Sequence, residues 1–301
     1  MSGSAGVIGS ALVHRLRAAG HEVLRLVPRR PAAEDEVLWY PELDTERLVG
    51  VHAVVHLVGE PLVGRWNEQR MESIRESRVQ GTGLLAEGLA SMGEAAPRVL
   101  LTGSSVWAYG DRGAEPLTED SMAGVGFLAG VYGDAERATD VAASAGVRVA
   151  HLRFGLVQTP ADGVLARVLP LFRRGLGSRL GRGRQYLSWV TIADAVAATA
   201  HVLGTEVLAG PINVTAPAPV TQREYADVLA RLLHRPRLVT LPRPALRLRY
   251  GTALADEVLL SGARVLPKRL LDTGFRFRHE TLPTALVDLL AIRPRLALSI
   301  T

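Results

Sequence analysis

Three evenly spaced glycines at the start of the chain constrain its fold more than any other feature. The run Gly3-Ser4-Ala5-Gly6-Val7-Ile8-Gly9 has the pattern G-x-x-G-x-x-G and leads into an amphipathic helix predicted over 8–19. Such glycines let the backbone turn tightly and approach a pyrophosphate, whose charge lies at the helix N-terminus. An apolar strand predicted over 21–27 follows, as in a βαβ unit. The pattern therefore predicts a dinucleotide site rather than a plain turn, with the cofactor at Gly3, Gly6, Val7, Ile8 and Gly9.

Only Met1 and Ser2 precede the first glycine. A glycine turn of this kind normally follows a buried strand of about five residues in the middle of the sheet. Without that strand, its two neighbours would lack backbone partners in a place where unpaired groups are costly. We therefore expect that the translation start has been assigned late or that the chain was trimmed. An in-frame stop codon directly before Met1 would exclude a late start.

Composition narrows the class of protein. The chain has 301 residues, 48% of them hydrophobic, which allows one large domain or two. The absence of cysteine excludes disulfides and thiolate metal sites, and no other metal site is predicted. We find no signal peptide and no apolar run long enough to cross a bilayer, so we expect a cytoplasmic protein that does not bind membranes.

The net charge of +5 comes almost entirely from arginine, since Lys268 is the only lysine. Binding to nucleic acid requires basic residues clustered on one face. Here the arginines are scattered and acidic residues lie between them, as over 70–76. The sequence therefore predicts no nucleic-acid partner.

Apolar strand-like runs alternate with helical stretches through the first two thirds of the chain. The runs lie at 21–27, 37–39, 53–58, 98–102 and 147–152, with helices predicted over 67–91 and 132–145 among them. This alternation predicts an α/β fold, a Rossmann-type doubly wound parallel sheet whose first strand is missing. Ligands bind beyond the carboxyl ends of the strands in such sheets. We expect this NADP-binding domain over 1–210 and a smaller C-terminal α+β domain over 211–301.

The pattern changes beyond about residue 160. The sequence predicts a Gly/Arg-rich loop over 173–184, a proline-rich connection over 211–219 and a frayed tail over 293–301. Thr221 and Glu224 match a capping box, which predicts a helix from there to about 234. Two further helices are predicted over 254–261 and 282–290.

Charged and hydroxyl side chains follow the predicted strands. Arg29 lies two residues after the strand over 21–27, where an NAD site usually has a carboxylate and an arginine accommodates a 2′-phosphate. Arg29 therefore favours NADP, the alternative being a solvated surface residue. Arg78 either faces the cofactor or pairs with Glu76, and spacing alone does not decide. Ser105, after the strand over 98–102, either holds a substrate oxygen or caps a turn.

The chain resembles atypical extended short-chain dehydrogenases/reductases, specifically epimerase-family proteins of the NAD-dependent epimerase/dehydratase type with a C-terminal domain of unknown function. The stretches that carry this resemblance are 3–9, 56–61, 65–67, 77–79, 127–129, 152–157, 181–190 and 264–270. The resemblance implies an NADP-binding Rossmann fold with cofactor contacts at Arg29, Leu57, Val58, Arg78 and Val157. It also implies a smaller C-terminal substrate domain.

Wider relatives use a serine, a tyrosine and a lysine four residues after that tyrosine. By this resemblance Ser105 and Tyr132 are the catalytic candidates, whereas Glu136 stands in the lysine position, a departure that is common in this subgroup. Tyr132 and Glu136 lie one helical turn apart and face the same way. Because like charges disfavour a tyrosinate, we expect Tyr132 to donate a proton or a hydrogen bond rather than to act as a base.

A loop over 181–190 is expected to cover the substrate cleft, as the comparable loop does in extended relatives. Gln185 and Ser188 are expected to hydrogen-bond to the substrate, and Arg182 or Arg184 to hold an anion. The alternative is that Trp189 belongs to the core and that the arginines are solvated. Asp194 is interpreted as a residue at a helix start.

These observations predict an NADP(H)-dependent oxidoreductase or epimerase-like protein that transfers a hydride to or from a small hydroxyl- or carbonyl-bearing substrate. The expected partners are that substrate and, in a homodimer, a second copy of the chain. One alternative is a non-catalytic NADP-binding redox sensor or regulatory protein, which Glu136 favours. Another is a decayed gene product without a functional first strand.

Overall fold

The computed structural model describes residues 1–236 and 239–292, so the tail predicted over 293–301 lies outside the described residues. The helices are α1 Val7–Ala18, α2 Glu68–Ser91, α3 Phe127–Arg137, α4 Asp140–Ser144, α5 Gly163–Arg173, α6 Ile192–Gly204, α7 Gln222–Leu232, α8 Arg243–Tyr250, α9 Thr252–Leu254, α10 Lys268–Asp272 and α11 Leu282–Leu289. The strands are β1 Arg25–Val27, β2 Glu36–Leu38, β3 Ala53–His56, β4 Val99–Ser105, β5 Pro116–Leu117, β6 Arg148–Phe154, β7 Leu156–Gln158, β8 Ser178–Leu180, β9 Tyr186–Leu187, β10 Trp189–Thr191, β11 Gly210–Val214, β12 Val220–Thr221, β13 Val239–Leu241 and β14 Arg264–Val265.

A parallel sheet is built from the apolar runs of the first two thirds of the chain. Strands β11, β6, β4 and β3 lie side by side in that order, and β1 pairs with β2, all of them parallel. The strands β4 and β6 are almost entirely buried, as expected where helices cover both faces of a sheet. The predicted doubly wound α/β architecture is confirmed.

The first two residues lie between β1 and β3. The N–H of Ser2 donates to the carbonyl oxygen of Val55 (2.9 Å), and the N–H of Leu26 donates to that of Met1 (2.8 Å). Beyond the end of β3, the N–H of Leu57 donates to the carbonyl oxygen of Ser2 at 3.4 Å. Met1 and Ser2 therefore join the β1–β2 pair to the four-stranded sheet, at the position where a full strand was expected.

Helices cover the sheet on both faces. On one face, α1 and α6 pack in a core with Leu12, Leu101 and Val202, which the C-terminal Phe275 and Phe277 also enter. On the other face, α2 and α4 pack over a second core that contains apolar side chains of β1, β2 and β3. The helices therefore leave the carboxyl edge of the sheet open, which is where such folds bind ligands.

Several elements differ from the predictions. The helix expected over 132–145 consists of α3 and the shorter α4, and α3 begins five residues earlier, at Phe127. The stretch read as a loop over 173–184 contains β8, and the stretch over 181–190 contains β9 and most of β10. The proline-rich connection over 211–219 includes most of β11, an edge strand of the sheet, where Pro211 is tolerated because the outer side needs no N–H donor.

The C-terminal part consists of short strands and helices around a separate core. The strands pair as β12–β9, β13–β8 and β14–β5, while α5, α7 and α11 bury Trp189, Tyr225 and Leu286 between them. The capping box of Thr221 and Glu224 is confirmed at the start of α7. Because β11 pairs with β6, the main sheet extends four residues past 210, and the domain division at that point stays a prediction. Within the described ranges, we find no helix that is both long and apolar enough to cross a membrane.

Candidate functional site

The glycine turn is a close approach of backbone to backbone. Gly3 has a φ of +67°, and its carbonyl oxygen accepts the N–H of Gly6 at 3.0 Å. A Cβ at Gly9 would lie 2.0 Å from the same oxygen, and a Cβ at Gly3 would lie 2.7 Å from the carbonyl oxygen of Leu57. Only residues without a side chain at positions 3 and 9 allow α1 to begin this close to the sheet.

The first turn of α1 presents free backbone N–H groups. No side chain caps the helix, and its first turn carries no acidic residue. The first N–H groups of a helix have no partner within the helix, and the helix dipole adds partial positive charge there. The turn and the helix start therefore form a place where an anionic group such as a pyrophosphate is favoured.

A cavity of about 330 Å³ lies at the carboxyl ends of the central strands, next to this turn. The predicted site residues that line it are Gly3, Gly6, Val7, Ile8, Gly9, Leu57, Val58, Arg78, Ser105, Tyr132 and Val157. The lining residues that sequence reasoning did not name as site residues are Gly59, Gly103, Ser104, Phe154, Gly155, Thr159, Asp162 and Gly163. The fold thus brings most of the predicted residues to one surface, while their individual roles stay predictions.

Arg29 does not line this cavity. Its guanidinium donates to both carboxylate oxygens of Glu36, at 2.9 and 2.8 Å. This pairing holds the pKa of the buried Glu36 below its ordinary value, with help from the N–H of Ala32. The Arg29 side chain remains 56% exposed, so one face of the guanidinium is open at the end of β1. A contact between Arg29 and a 2′-phosphate stays a prediction.

Tyr132 and Arg78 face each other in the cavity. The guanidinium carbon of Arg78 lies 5.4 Å from the centroid of the Tyr132 ring, within the range of a cation–π contact. Arg78 donates to the carbonyl oxygen of Ile74 at 3.2 Å and forms no ion pair with Glu76 or any other carboxylate of the described residues. Arg78 therefore lines the cavity rather than pairing with Glu76, and its contact with a cofactor stays a prediction.

Ser105 caps the short 3₁₀ turn over 106–109 and also lines the cavity. Its hydroxyl accepts the N–H of Trp107 and donates to the carbonyl oxygen of Phe154, each at 3.4 Å. Both distances are at the long limit for a hydrogen bond. The hydroxyl is therefore held weakly enough to be available to a ligand in the cavity.

Glu136, in the lysine position of wider relatives, is bound on both carboxylate oxygens. Arg153 of β6 donates to Oε1 at 2.8 Å and to Oε2 at 2.6 Å, and the hydroxyl of Ser104 donates to Oε1 at 2.6 Å. Burial opposes ionisation of Glu136, but the hydrogen bonds and charge of Arg153 outweigh it and bring its pKa below the ordinary value. The carboxylate is therefore a charged member of a buried ion pair beside the cavity.

Gln185 and Ser188 hold the C-terminal segment together. The Gln185 amide donates to the carbonyl oxygens of Leu180 (3.3 Å) and Leu259 (2.8 Å). The Ser188 hydroxyl donates to the carbonyl oxygen of Ala263 at 2.7 Å and accepts a backbone N–H. Neither residue lines the main cavity, although Ser188 lines a smaller one of about 30 Å³ together with Trp107, Tyr186 and neighbouring residues. Their contact with a substrate stays a prediction.

Two other expectations concern the same segment. Trp189 is fully buried, in agreement with the core alternative, and Arg182 and Arg184 are exposed. Asp194 lies in the first turn of α6, where its carboxylate binds the hydroxyl of Thr191, as expected for a residue at a helix start.

The Ser104–Glu136–Arg153 cluster was not found from the sequence. The available signal was Arg153 itself, a charged residue inside the apolar run of β6. A buried arginine requires an anionic partner, although its position in the chain does not say which one.

Known protein families and curated proteins match this chain over most of its length. The model of the NAD dependent epimerase/dehydratase family matches residues 1–214, and a domain of unknown function (DUF1731) matches residues 241–289. Epimerase family protein Mb2239 of Mycobacterium bovis is 43% identical over 290 residues, which cover 95% of each chain.

Solved structures match over nearly the whole chain. The crystal structure of human epimerase family protein SDR39U1 (isoform 2) with NADPH superposes with a TM-score of 0.85 at 27% identity, covering 97% of this chain and 98% of the human one. A nucleoside-diphosphate sugar epimerase from Corynebacterium glutamicum gives a TM-score of 0.80 at 33% identity, covering 96% of this chain and 57% of its own.

Proposed function

Since the chain belongs to the NAD-dependent epimerase/dehydratase family, we propose that it is an NADP(H)-dependent oxidoreductase or epimerase-like enzyme. Its substrate is a small molecule that carries a hydroxyl or carbonyl group. One observation carries the proposal: the glycine turn, the start of α1 and the hydroxyl groups of Ser105 and Tyr132 meet at a single cavity.

The residues of this cavity suit a dinucleotide cofactor. The turn over 3–9 and the N-terminus of α1 would hold the pyrophosphate, since a Cβ at Gly9 would fill the turn and no side chain caps the helix. Leu57, Val58 and Val157 supply apolar surface along the same wall. Support for NADP(H) comes from the human relative, whose structure contains NADPH, and from Arg29 at the end of β1.

When bound, the nicotinamide supplies or accepts a hydride. In the reducing direction, the hydroxyl of Tyr132 donates its proton to the substrate oxygen that gains negative charge as the hydride arrives. The hydroxyl of Ser105 donates a hydrogen bond to the same oxygen and holds it in place. Glu136 cannot serve as the general base, because Arg153 and Ser104 occupy its carboxylate.

The cofactor preference is tested by titrating the protein with NADPH and NADH in a calorimeter. We expect tighter binding of NADPH in the wild type, and a loss of about tenfold in NADPH affinity alone in Arg29→Met, since a charge-assisted contact to the 2′-phosphate is removed. Arg30→Met, which changes the neighbouring arginine, is the matched control. Equal binding of both cofactors by the wild type would remove the role of Arg29.

Turnover is tested with NADPH and a panel of small aldehydes, ketones and sugars. An enzyme of the proposed kind should oxidise NADPH with at least one of them, and Tyr132→Phe should lose about 100-fold in kcat with little change in NADPH affinity. Binding of NADPH without turnover of any panel member, in wild type and Tyr132→Phe alike, would favour the redox sensor, for which the missing lysine at Glu136 is the supporting observation.

A further inference from the structure

We propose that Arg78 provides the positive charge that allows Tyr132 to give up its proton, a role for a residue on a different helix from the missing lysine. The inference rests on the proposed function, since it assigns a charge to the proton donor of that site. Tyr132 lies on α3 and Arg78 on α2, and both line the cavity.

The geometry places the guanidinium against the phenol ring. Their separation is 5.4 Å from the guanidinium carbon to the ring centroid, and the Tyr132 hydroxyl accepts and donates no hydrogen bond among the described residues. The guanidinium also packs against Gly59, where an added Cβ would lie 3.0 Å from the guanidinium carbon. The glycine therefore leaves the space in which Arg78 can lie close to Tyr132.

The other charged groups around Tyr132 already have partners. On α3, Asp134 pairs with Arg75 of α2 and with Arg137, and Glu136 pairs with Arg153 of β6. From the C-terminal segment, Glu257 accepts the N–H groups of residues 127 and 128 at the start of α3.

Asp162 also lines the cavity, and its carboxylate accepts the N–H of Gly163. Tyr132 belongs to an apolar cluster that also contains Trp66, Ile74, Ala108, Leu128 and Leu254. Arg78 has no carboxylate partner among the described residues, so its charge is the one that acts on the ring without local compensation.

The consequence for the proton transfer follows from elementary electrostatics. When the O–H bond of Tyr132 breaks, its proton goes to the substrate oxygen and a tyrosinate remains, which a water molecule later reprotonates. A cation within a few ångströms stabilises that anion, most strongly where little water screens the pair. Tyr132 is only 6% exposed, so the charge of Arg78 acts in such surroundings.

The first experiment follows the ultraviolet absorbance of tyrosinate during an alkaline titration of the protein without substrate. The signal of Tyr132 is the difference between each variant and the same variant carrying Tyr132→Phe. We expect the midpoint of this signal to move upward by about one pH unit in Arg78→Met and to move little in Arg78→Lys, which keeps the charge. Arg75→Met, on the same helix, should move the midpoint less than Arg78→Met, because Arg137 still pairs with Asp134.

A second variant keeps the test informative if Arg78→Met does not fold. Arg78→Gln also removes the charge and keeps a polar side chain at this position, and it should shift the midpoint in the same direction. An unchanged midpoint in folded Arg78→Met, or in folded Arg78→Gln where Arg78→Met is unfolded, would overturn the inference.

Turnover at saturating NADPH separates this role from mere cofactor binding. We expect Arg78→Met to lose about tenfold or more in kcat, Arg78→Lys to recover most of that loss, and Arg78→Met to add little to Tyr132→Phe. A raised KM for NADPH with unchanged kcat would instead reduce Arg78 to a cofactor ligand.

The role of Arg78 and the proposed enzymatic function fail separately. The absorbance titration tests the role of Arg78 and needs no substrate, whereas the proposed function fails if no substrate is reduced.

Discussion

At the residue scale, the effect of replacing a glycine by alanine depends on the space beside that glycine. The space beside Gly9 is occupied by the carbonyl oxygen of Gly3, 2.0 Å from the place of a Cβ. In Gly9→Ala the turn must open, so we expect NADPH affinity to fall by tenfold or more and stability to fall with it. Calorimetric titration with NADPH and urea denaturation measure the two effects.

Gly130→Ala is the matched control for that substitution. Gly130 lies inside α3 with nothing within 4 Å of the place of a Cβ. Alanine is preferred to glycine in a helix, so this variant should gain about 0.5–1 kcal/mol in the free energy of unfolding and keep its NADPH affinity. Wild-type NADPH binding by Gly9→Ala would contradict the assigned cofactor turn.

The buried pair of Glu136 and Arg153 supports a second prediction. Their side chains are 12% and 8% exposed, so Glu136→Gln leaves the charge of Arg153 buried without a partner. We expect a loss of about 3–5 kcal/mol in the free energy of unfolding. The double variant Glu136→Leu/Arg153→Met removes both charges and should lose less than the single variant. Urea denaturation measures both, and a double variant less stable than Glu136→Gln would show that the pair is not coupled in this way.

At the scale of elements, Asp194 connects α6 to the C-terminal segment. The carboxylate is 2% exposed and accepts the N–H groups of Arg278 (2.7 Å) and His279 (3.1 Å) in addition to the hydroxyl of Thr191. Asp194→Ala leaves these buried donors without an acceptor, and we expect a loss of about 3 kcal/mol in stability. Hydrogen exchange should show the amides of residues 278 and 279 losing protection first.

An exposed helix cap provides the comparison for Asp194. Thr221→Ala removes the cap of α7 and should cost only about 1 kcal/mol, with no effect on exchange at residues 278 and 279. Retained protection of those two amides in Asp194→Ala would mean that the segment is held by its apolar contacts alone.

The sequence predicts the elements whose signals are local. Strands β3, β4 and β6 each contain a run of apolar residues, and the capping box lies within four residues of the chain. The start of α3 at Phe127 was not predictable, because its first N–H groups bind Glu257, which lies 130 residues away. Strand β11 was missed because Pro211 and Asn213 interrupt its apolar pattern, which only an edge position tolerates.

The site shows the same division between local and distant information. The glycine turn and the residues after each strand could be placed together from the sequence, since the carboxyl ends of parallel strands share one edge. The partner of Glu136 could not be predicted from the sequence, because this ion pair depends on how α3 packs against β6. Similarly, the sequence does not distinguish a glutamine that binds a ligand from one that binds backbone carbonyl groups, as Gln185 does.

At the scale of the whole molecule, the C-terminal segment packs against the elements that carry the cavity. Phe275 and Phe277 enter the core formed by α1, α6 and the central strands, and Glu257 caps α3, the helix that carries Tyr132. The residues that line the cavity therefore depend on contacts made by both ends of the chain.

Two buried histidines make the stability of the whole molecule depend on pH. Burial, together with the charge of the chain's amino group, lowers the pKa of His56 to about 4, from an ordinary value of 6.5. Burial also lowers the pKa of His151. Below pH 6.5 these histidines take up protons in the unfolded chain but not in the folded chain, so their contribution to stability is fully present above that pH and falls between 6.5 and about 4. For His56 alone the loss is roughly 3 kcal/mol across this window.

Urea denaturation at pH 7 and pH 5 tests this dependence. The free energy of unfolding of the wild type should fall between the two, and His56→Gln should show a smaller fall because its side chain does not titrate. His52→Gln, an exposed histidine near the same strand, should fall as much as the wild type. The decisive quantity is the difference between pH values within each protein, so a constant destabilisation by His56→Gln does not affect it. Equal falls in wild type and His56→Gln would show that His56 is protonated in the folded state at pH 5.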